Sequence, residues 1–180
     1  MSTSLGNNYK VGDIIDRGFH PLVLRYLYMM THYRKQLNFT WEALAAAQQA
    51  LHNLEEIIRA WDTPTEIHAA YEEQFRVAIS DDLHFSAALA VLWEMVNDPL
   101  VESGMKSATL LRFDEVLGLN LSAFIGIPLE IPAHVQECLA ERETARQNKD
   151  FALSDLLRQK IQEQGFLVED TAHGPKIRKA

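Results

Sequence analysis

Phe151, Asp155 and Arg158 fall at i, i+4 and i+7, a spacing that puts a ring, a carboxylate and a guanidinium on one face of a helix. An exposed ring can stack on an unpaired base. A carboxylate can accept from a base amino group, and an arginine can meet a phosphate or a guanine edge. Single-stranded RNA recognition uses these parts. The same spacing also fits a solvated Asp155–Arg158 pair of little energetic consequence, with Phe151 tucked against a neighbouring helix, and spacing leaves both readings open. The other reactive residue types do not assemble. The seven histidines have no ligand spacing, Cys138 is alone, and there is no Cys-x-x-Cys or His-x-x-x-His pair, so no metal is expected in these 180 residues. A Gly-x-Ser-x-Gly turn and a complete phosphate loop are also missing.

The elements that must position these residues read as helices. Pro132 can open one through about Arg146. Asp150 can cap a second, whose Leu153, Leu157 and Ile161 are expected on its inner side until Gly165 ends it. "FLVED" then reads as a short strand, "TAHG" as a turn and "KIRK" as the returning partner. Upstream, Pro21 starts a helix carrying Leu22, Leu24, Tyr26, Leu27, Met30 and Tyr33. Thr40 can cap a longer one from Trp41 to Trp61, which Asp62, Thr63 and Pro64 stop. Ile67, Tyr71, Phe75 and Ile79 recur at fourfold spacing, a further segment runs from about Phe85 to Val96, and Leu110 to Leu117 give a shorter helix. The aromatic and aliphatic rows are what the core of an antiparallel bundle requires. The fold class expected is mainly α: residues 1–21 as loop and linker, a helical bundle over 22–130, and a small helical hairpin with a two-stranded ribbon over 131–180.

Composition is that of an ordinary globular chain, 47% hydrophobic and 23% charged. No run approaches the roughly 20 apolar residues of a membrane helix, and the polar start lacks a secretion-signal pattern; a cytoplasmic setting without a membrane partner is expected. Charge is uneven along the chain. Residues 1–131 hold 9 Lys and Arg against 17 Asp and Glu, whereas the remainder holds 8 of each. A basic stripe, the usual mark of sequence-independent nucleic-acid binding, is missing, so any such role rests on placed contacts or on a basic partner.

The segment "ERETARQNKDFALSDLLRQKIQEQGFLVEDTAHG" resembles the C-terminal region of bacterial cysteinyl-tRNA synthetases, with their Arg, Lys-Asp-aromatic, Ala-Asp-x-x-Arg and Leu-Glu-Asp pattern. "GFHPLVLRYLYMMTHYRKQLNFTWEAL" looks like the family's post-catalytic segment running into its DALR helical bundle. "FRVAISDDLHFSAALAVLWEMVND" is similar to the bundle stretch that carries an acidic Asp-Asp run. "MSTSLGN" looks like the KMSKS loop of class I aminoacyl-tRNA synthetases. These segments occur in family order and cover nearly the whole chain.

The resemblance implies the tRNA-binding C-terminal portion of a cysteine–tRNA ligase, which positions tRNA(Cys) by anticodon recognition for ATP-dependent cysteinylation. Arg146, Phe151, Asp155 and Asp170 are the anticodon-contact residues it implies, with the aromatic stacking and the charged groups reading base edges. Ser2 and Ser4 are residual nucleotide-side positions of the KMSKS-like loop. Thr3 stands at that loop's second lysine and the first would precede Met1, so neither cation that offsets charge on the transferring phosphates is present. The catalytic domain, with its ATP motif and zinc site, would lie upstream as the partner in cis or as a separate chain. Two departures stand out: "GPKIRKA" replaces the family's Gly-Thr and Trp ending, and the acidic run reads "SDDLHFS". Two other readings are a stand-alone, non-catalytic module binding tRNA or protein, and a bundle used only for assembly. The 180 residues by themselves are expected to form no cysteinyl adenylate; cysteine-dependent pyrophosphate exchange by the purified chain would overturn that expectation.

Overall fold

A computed structural model of the chain describes residues 9–171 and 174–179. It divides into two compact units, Met1–Ile127 and Pro128–Ala180. Among the described residues, no helix is long and apolar enough to cross a membrane.

The first unit is a bundle of helices. The stretch expected to be loop and linker contains a short helix, α1 (Val11–Asp16), started by Asp13, whose carboxylate accepts from the Lys10 N–H at 2.7 Å. Helix α2 (Pro21–Met29) begins with proline at its first position, and the preceding His20 Nδ1 accepts from the Leu22 N–H at 3.2 Å. Val23, Leu24, Tyr26 and Leu27 are buried, while Met30 and Tyr33, expected on the same row, lie beyond the helix end and are exposed. Thr40 caps α3 (Trp41–Ile58), its Oγ1 accepting from the Ala43 N–H at 3.0 Å. Leu44, Ala47, Leu51, Leu54 and Ile58 form its buried row. This helix stops three residues short of the expected Trp61 because its last turn tightens. Ile58 O accepts from the Trp61 N–H at 3.1 Å and from the Gly126 N–H at 3.2 Å, and Trp61 is buried beyond the helix.

Helices α4 (Ala69–Ser80) and α5 (Phe85–Asn97) pack against one another across a four-residue turn, and α6 (Ser103–Leu117) packs on both. Phe75 of α4 stacks on Phe113 of α6 with ring centroids 4.0 Å apart. Helix α6 extends well upstream of the apolar run that announced it. Its first turns bury Gly104, Lys106, Ser107 and Thr109, polar or small residues that a search for apolar periodicity passes over. They are tolerated because each polar group finds an acceptor: Lys106 Nζ donates to Val96 O at 2.8 Å, Ser107 Oγ to Asp62 O at 2.8 Å and Thr109 Oγ1 to Met105 O at 2.7 Å. After α6 the chain turns through Gly118, whose φ of +62° suits a residue without Cβ. Asp114 accepts from the Leu119 and Leu121 N–H groups at 2.7 and 2.8 Å. Leu117, Leu119 and Leu121 are fully buried as a result.

The second unit pairs α7 (Ala133–Gln147) with α8 (Phe151–Glu163) and an antiparallel ribbon, β1 (Phe166–Thr171) and β2 (Gly174–Lys179). Val168 faces Ile177 in the ribbon register, and both join Val135, Ile161 and Phe166 in a small core. Asp150 caps α8, its Oδ1 accepting from the Leu153 N–H at 3.1 Å. The inner row of α8 is Ser154, Leu157 and Ile161, and Leu153 is 44% exposed. The expected row of Leu153, Leu157 and Ile161 is therefore corrected. Steps of four residues drift about 40° around a helix at 100° per residue, whereas a three-then-four spacing stays on the contact line.

The burial of Leu51 and Leu54, at 2% and 0% exposure, sets a stability prediction. Truncating either to alanine should cost about 2–5 kcal/mol in denaturant titrations. Losses below about 0.5 kcal/mol at both positions would contradict this orientation of α3.

Candidate functional site

Helix α8 presents its first residue, Phe151, with 66% of its surface exposed, and Asp155 and Arg158 on the same helix are exposed as well. The expected shared face therefore exists. It lies about a quarter turn from the Ser154, Leu157 and Ile161 row, judged at 100° per residue. An exposed ring at a helix start has no partner to satisfy and a flat face to offer. The alternative in which Phe151 tucks against a neighbouring helix does not hold. Beside this helix, α7 and α8 frame an open depression of about 410 Å³ lined by Ala140, Thr144, Asn148, Asp150 and Leu153, which accounts for the exposure of Leu153 at its edge.

Arg146 and Asp170, distant in sequence, are joined. Arg146 Nη1 donates to Asp170 Oδ1, and a third residue takes the rest of the carboxylate. Arg142 Nη1 and Nη2 donate to Asp170 Oδ1 and Oδ2 at 3.1 and 3.0 Å, a two-pronged grip. Arg142 is 3% exposed, and its Nη1 also donates to Glu143 Oε1 at 2.8 Å, while its Nε is buried without a hydrogen-bond partner. The Arg142 hydrogen bonds, more than the charge of Arg146, hold the Asp170 carboxyl below the usual carboxylate range. Those bonds raise the Arg142 guanidinium above its own ordinary value. Asp170 thus carries two guanidiniums on its oxygens, and the Arg146 and Asp170 side chains, 39% and 42% exposed, are the parts of the cluster that reach solvent.

Arg142 escaped the reading of the sequence. A signal was there: it continues the row of Val135 and Cys138 along α7 and precedes the buried Ala145 by three residues, so an arginine occupies a position that helical spacing assigns to the core. Ser2 and Ser4 lie outside the described residues. Among the described residues, no group of three or more His, Cys, Asp or Glu side chains gathers to hold a metal.

Residues 130–178 match the cysteinyl-tRNA ligase anticodon binding domain. Along its whole length the chain is similar to proteins named cysteine–tRNA ligase. It is 38% identical to cysteine–tRNA ligase 1 of Burkholderia lata over 98% of this chain and 37% of that protein. Identity is 35% with the Chlamydia abortus protein, over 99% of this chain and 41% of the relative. With the Opitutus terrae protein it is 37%, over 100% and 39%. The chain spans about two fifths of the length of these curated relatives.

The Arg142 grip predicts a pH signature. Because the folded-state pKa of Asp170 is depressed, its contribution to stability is complete above the unfolded carboxylate value of about 3.9 and disappears as pH falls through the lower folded value. Arg142→Met should cost about 1–3 kcal/mol at neutral pH, less than for a sealed pair because the Asp170 side chain is 42% exposed. The cost should shrink as pH falls below the unfolded carboxylate value of about 3.9 and the Asp170 carboxylate is neutralised. Thermal melts of both proteins across that range test this, and a pH-independent difference would count against it.

Proposed function

The chain follows the C-terminal region of the cysteinyl-tRNA synthetases along its length and carries their anticodon-binding domain at its end, and from that premise we propose that it positions tRNA(Cys) for cysteinylation by the ligase's catalytic domain. The observation that carries the reading is the exposed Phe151 ring on α8, in the unit that matches the anticodon domain. Phe151 stacks on an unpaired anticodon base, and Asp155, one turn along, accepts hydrogen bonds from a base edge. Arg146 supplies donors from the partly exposed side of its pair with Asp170, and Asp170 acts chiefly by fixing that arginine.

Recognition of this kind works through geometry. Holding the anticodon loop at a fixed place lines up the acceptor end of the tRNA with an activated cysteine, which turns an encounter between two large molecules into an intramolecular step. ATP and zinc belong, on this reading, to the catalytic portion and not to these residues. The reaction takes place in the cytoplasm, where tRNA and amino acid are both available.

Phe151→Ala should weaken binding of a tRNA(Cys) anticodon stem-loop by about 1–3 kcal/mol while the fold survives, since the ring is exposed. Asp155→Asn should instead relax discrimination between the cognate loop and a base-substituted one, because an amide donates as well as accepts. Both comparisons are made against the wild-type chain at the same low salt. Equal binding of cognate and altered loops by the wild-type chain joined to its catalytic domain would overturn the anticodon reading.

A further inference from the structure

The chain leaves the bundle unit through residues 124–127, and that exit is tied to the end of α3. Phe124 O accepts from the Ile127 N–H at 3.1 Å, closing a turn, and the Gly126 N–H donates to Ile58 O at 3.2 Å. Gly126 has a φ of +67°, and a Cβ there would meet Trp61 O at 3.1 Å, so the turn is built around a residue without a side chain. Arg59, the residue after α3, closes the tie. Its Nη1 donates to Ile127 O at 2.8 Å and its Nε to Glu56 Oε1 at 3.2 Å, and its guanidinium lies 5.0 Å from the centre of the Phe124 ring. The Arg59 and Glu56 side chains are 16% and 17% exposed, and burial pushes the carboxyl of Glu55, one turn before Arg59, up to about 7. In surroundings so poor in water, an arginine held by a carboxylate, a carbonyl and a ring is fixed in place.

Past the unit boundary the chain is fastened again almost at once. Leu129 and Ile131 pack against the small core of the second unit, and Ile131 O accepts from Gln136 Nε2 at 2.9 Å. Pro132 O then accepts from the Val135 and Gln136 N–H groups at 2.9 and 3.1 Å as α7 begins. Between Ile127, held by Arg59, and Leu129, held by the second core, only the exposed Pro128 is left. A proline is a stiff connector: its ring fixes its own φ near about −65° and keeps the residue before it extended. The soft angles that remain are the ψ of Pro128 and the φ of Leu129.

We propose that Arg59 is a positioning residue, which latches the exit turn to α3 and so confines the connection between the two units to a single step at Pro128. The inference rests on the reading of the chain as one that positions tRNA, and it names the device that keeps the recognition unit on a short lead. Without the latch, residues 124–127 join Pro128 in the connector. A longer connector lets the tethered unit sample a larger volume and lowers its effective concentration at any one place. Arg59 acts through the chain and not by touching RNA, while base discrimination stays with the exposed face of α8.

The test places nitroxide labels through Gln74→Cys on α4 and Gln162→Cys on α8, both exposed positions, in the 180-residue chain carrying Cys138→Ser. The distribution of label-to-label distances is read by double electron–electron resonance. Arg59→Met should broaden it about twofold. Gly126→Ala should broaden it by opening the same turn, and Arg59→Lys, which keeps the charge, should fall between Arg59→Met and wild type. In the chain joined to the ligase's catalytic domain, Arg59→Met should raise the KM for tRNA(Cys) about tenfold while kcat at saturating tRNA changes by less than about twofold. Binding of the isolated anticodon stem-loop should be unchanged. A distribution in Arg59→Met as narrow as in wild type, even with a lowered Tm, would make Arg59 a residue of the bundle's stability alone and overturn the proposal. So would an unchanged KM for tRNA(Cys), or a loss of stem-loop affinity large enough to account for the whole change in KM. If the distribution broadens as expected while the wild-type joined protein binds cognate and altered loops alike, the anticodon reading fails and the confinement of the connection by Arg59 stands.

Discussion

Arg142 brings a full positive charge into the interior of the smaller unit, and a charge there must be met by a carboxylate with nearly ideal geometry or the unit does not hold. The partner it finds, Asp170, sits near the end of β1, twenty-eight residues along the chain. The grip fastens the ribbon to α7 through two parallel hydrogen bonds. With β1 fixed, Val168 and Ile177 are held opposite one another in register and face Val135 and Ile161. A ribbon of two strands has little stability of its own, so this polar anchor and that small apolar cluster serve together. The same carboxylate holds Arg146, so the arrangement of that partly exposed side chain is a consequence of satisfying a buried one.

The bundle unit meets the same demand in a different way. Lys106, Ser107 and Thr109 are buried on α6, but their partners are backbone carbonyls of neighbouring segments and of α6 itself. Side-chain donors thus fill acceptor positions at the end of α5 and after α3, where helix termini leave carbonyls unsatisfied. The His68 amide adds to this by donating to Thr109 Oγ1 at 2.8 Å. Around these polar links the apolar rows of α2, α3, α4 and α5 close a continuous core. Trp93 Nε1 donates to the buried Tyr26 hydroxyl at 2.9 Å, which lets two large aromatics enter that core without an orphaned donor.

Charge separates the two units in character. The first 131 residues carry an excess of eight acidic groups, and the last fifty are balanced. A strongly anionic partner would meet no long-range attraction across most of such a surface, so its binding depends on a few donors placed at short range. The face of α8 proposed to contact RNA has that character, with one ring, one carboxylate and one guanidinium exposed together.

Local chemistry settled most of the secondary structure directly from the sequence. Pro21, Thr40 and Asp150 mark helix starts by removing or accepting a backbone N–H, and Gly165 ends a helix because its φ of +81° suits glycine. Tyr71, Phe75 and Ile79 of the fourfold row and the shared face of Phe151, Asp155 and Arg158 follow from helical period alone, whereas Ile67 of that row precedes α4 and is exposed. Three things did not. The upstream half of α6 was hidden because its buried face is polar, and only the carbonyls of distant segments make that burial tolerable. The inner row of α8 took Ser154 in place of Leu153, since contact with α7 and the ribbon, and not hydrophobicity, decides which side of a short helix is covered. The pairing of Asp170 with Arg142 and Arg146 was not legible either, because a residue's availability depends on what the folded chain puts beside it. Sequence determines where a side chain sits along its own element; the tertiary structure decides which of its hydrogen bonds are already spent, because those partners come from parts of the chain that local spacing does not connect.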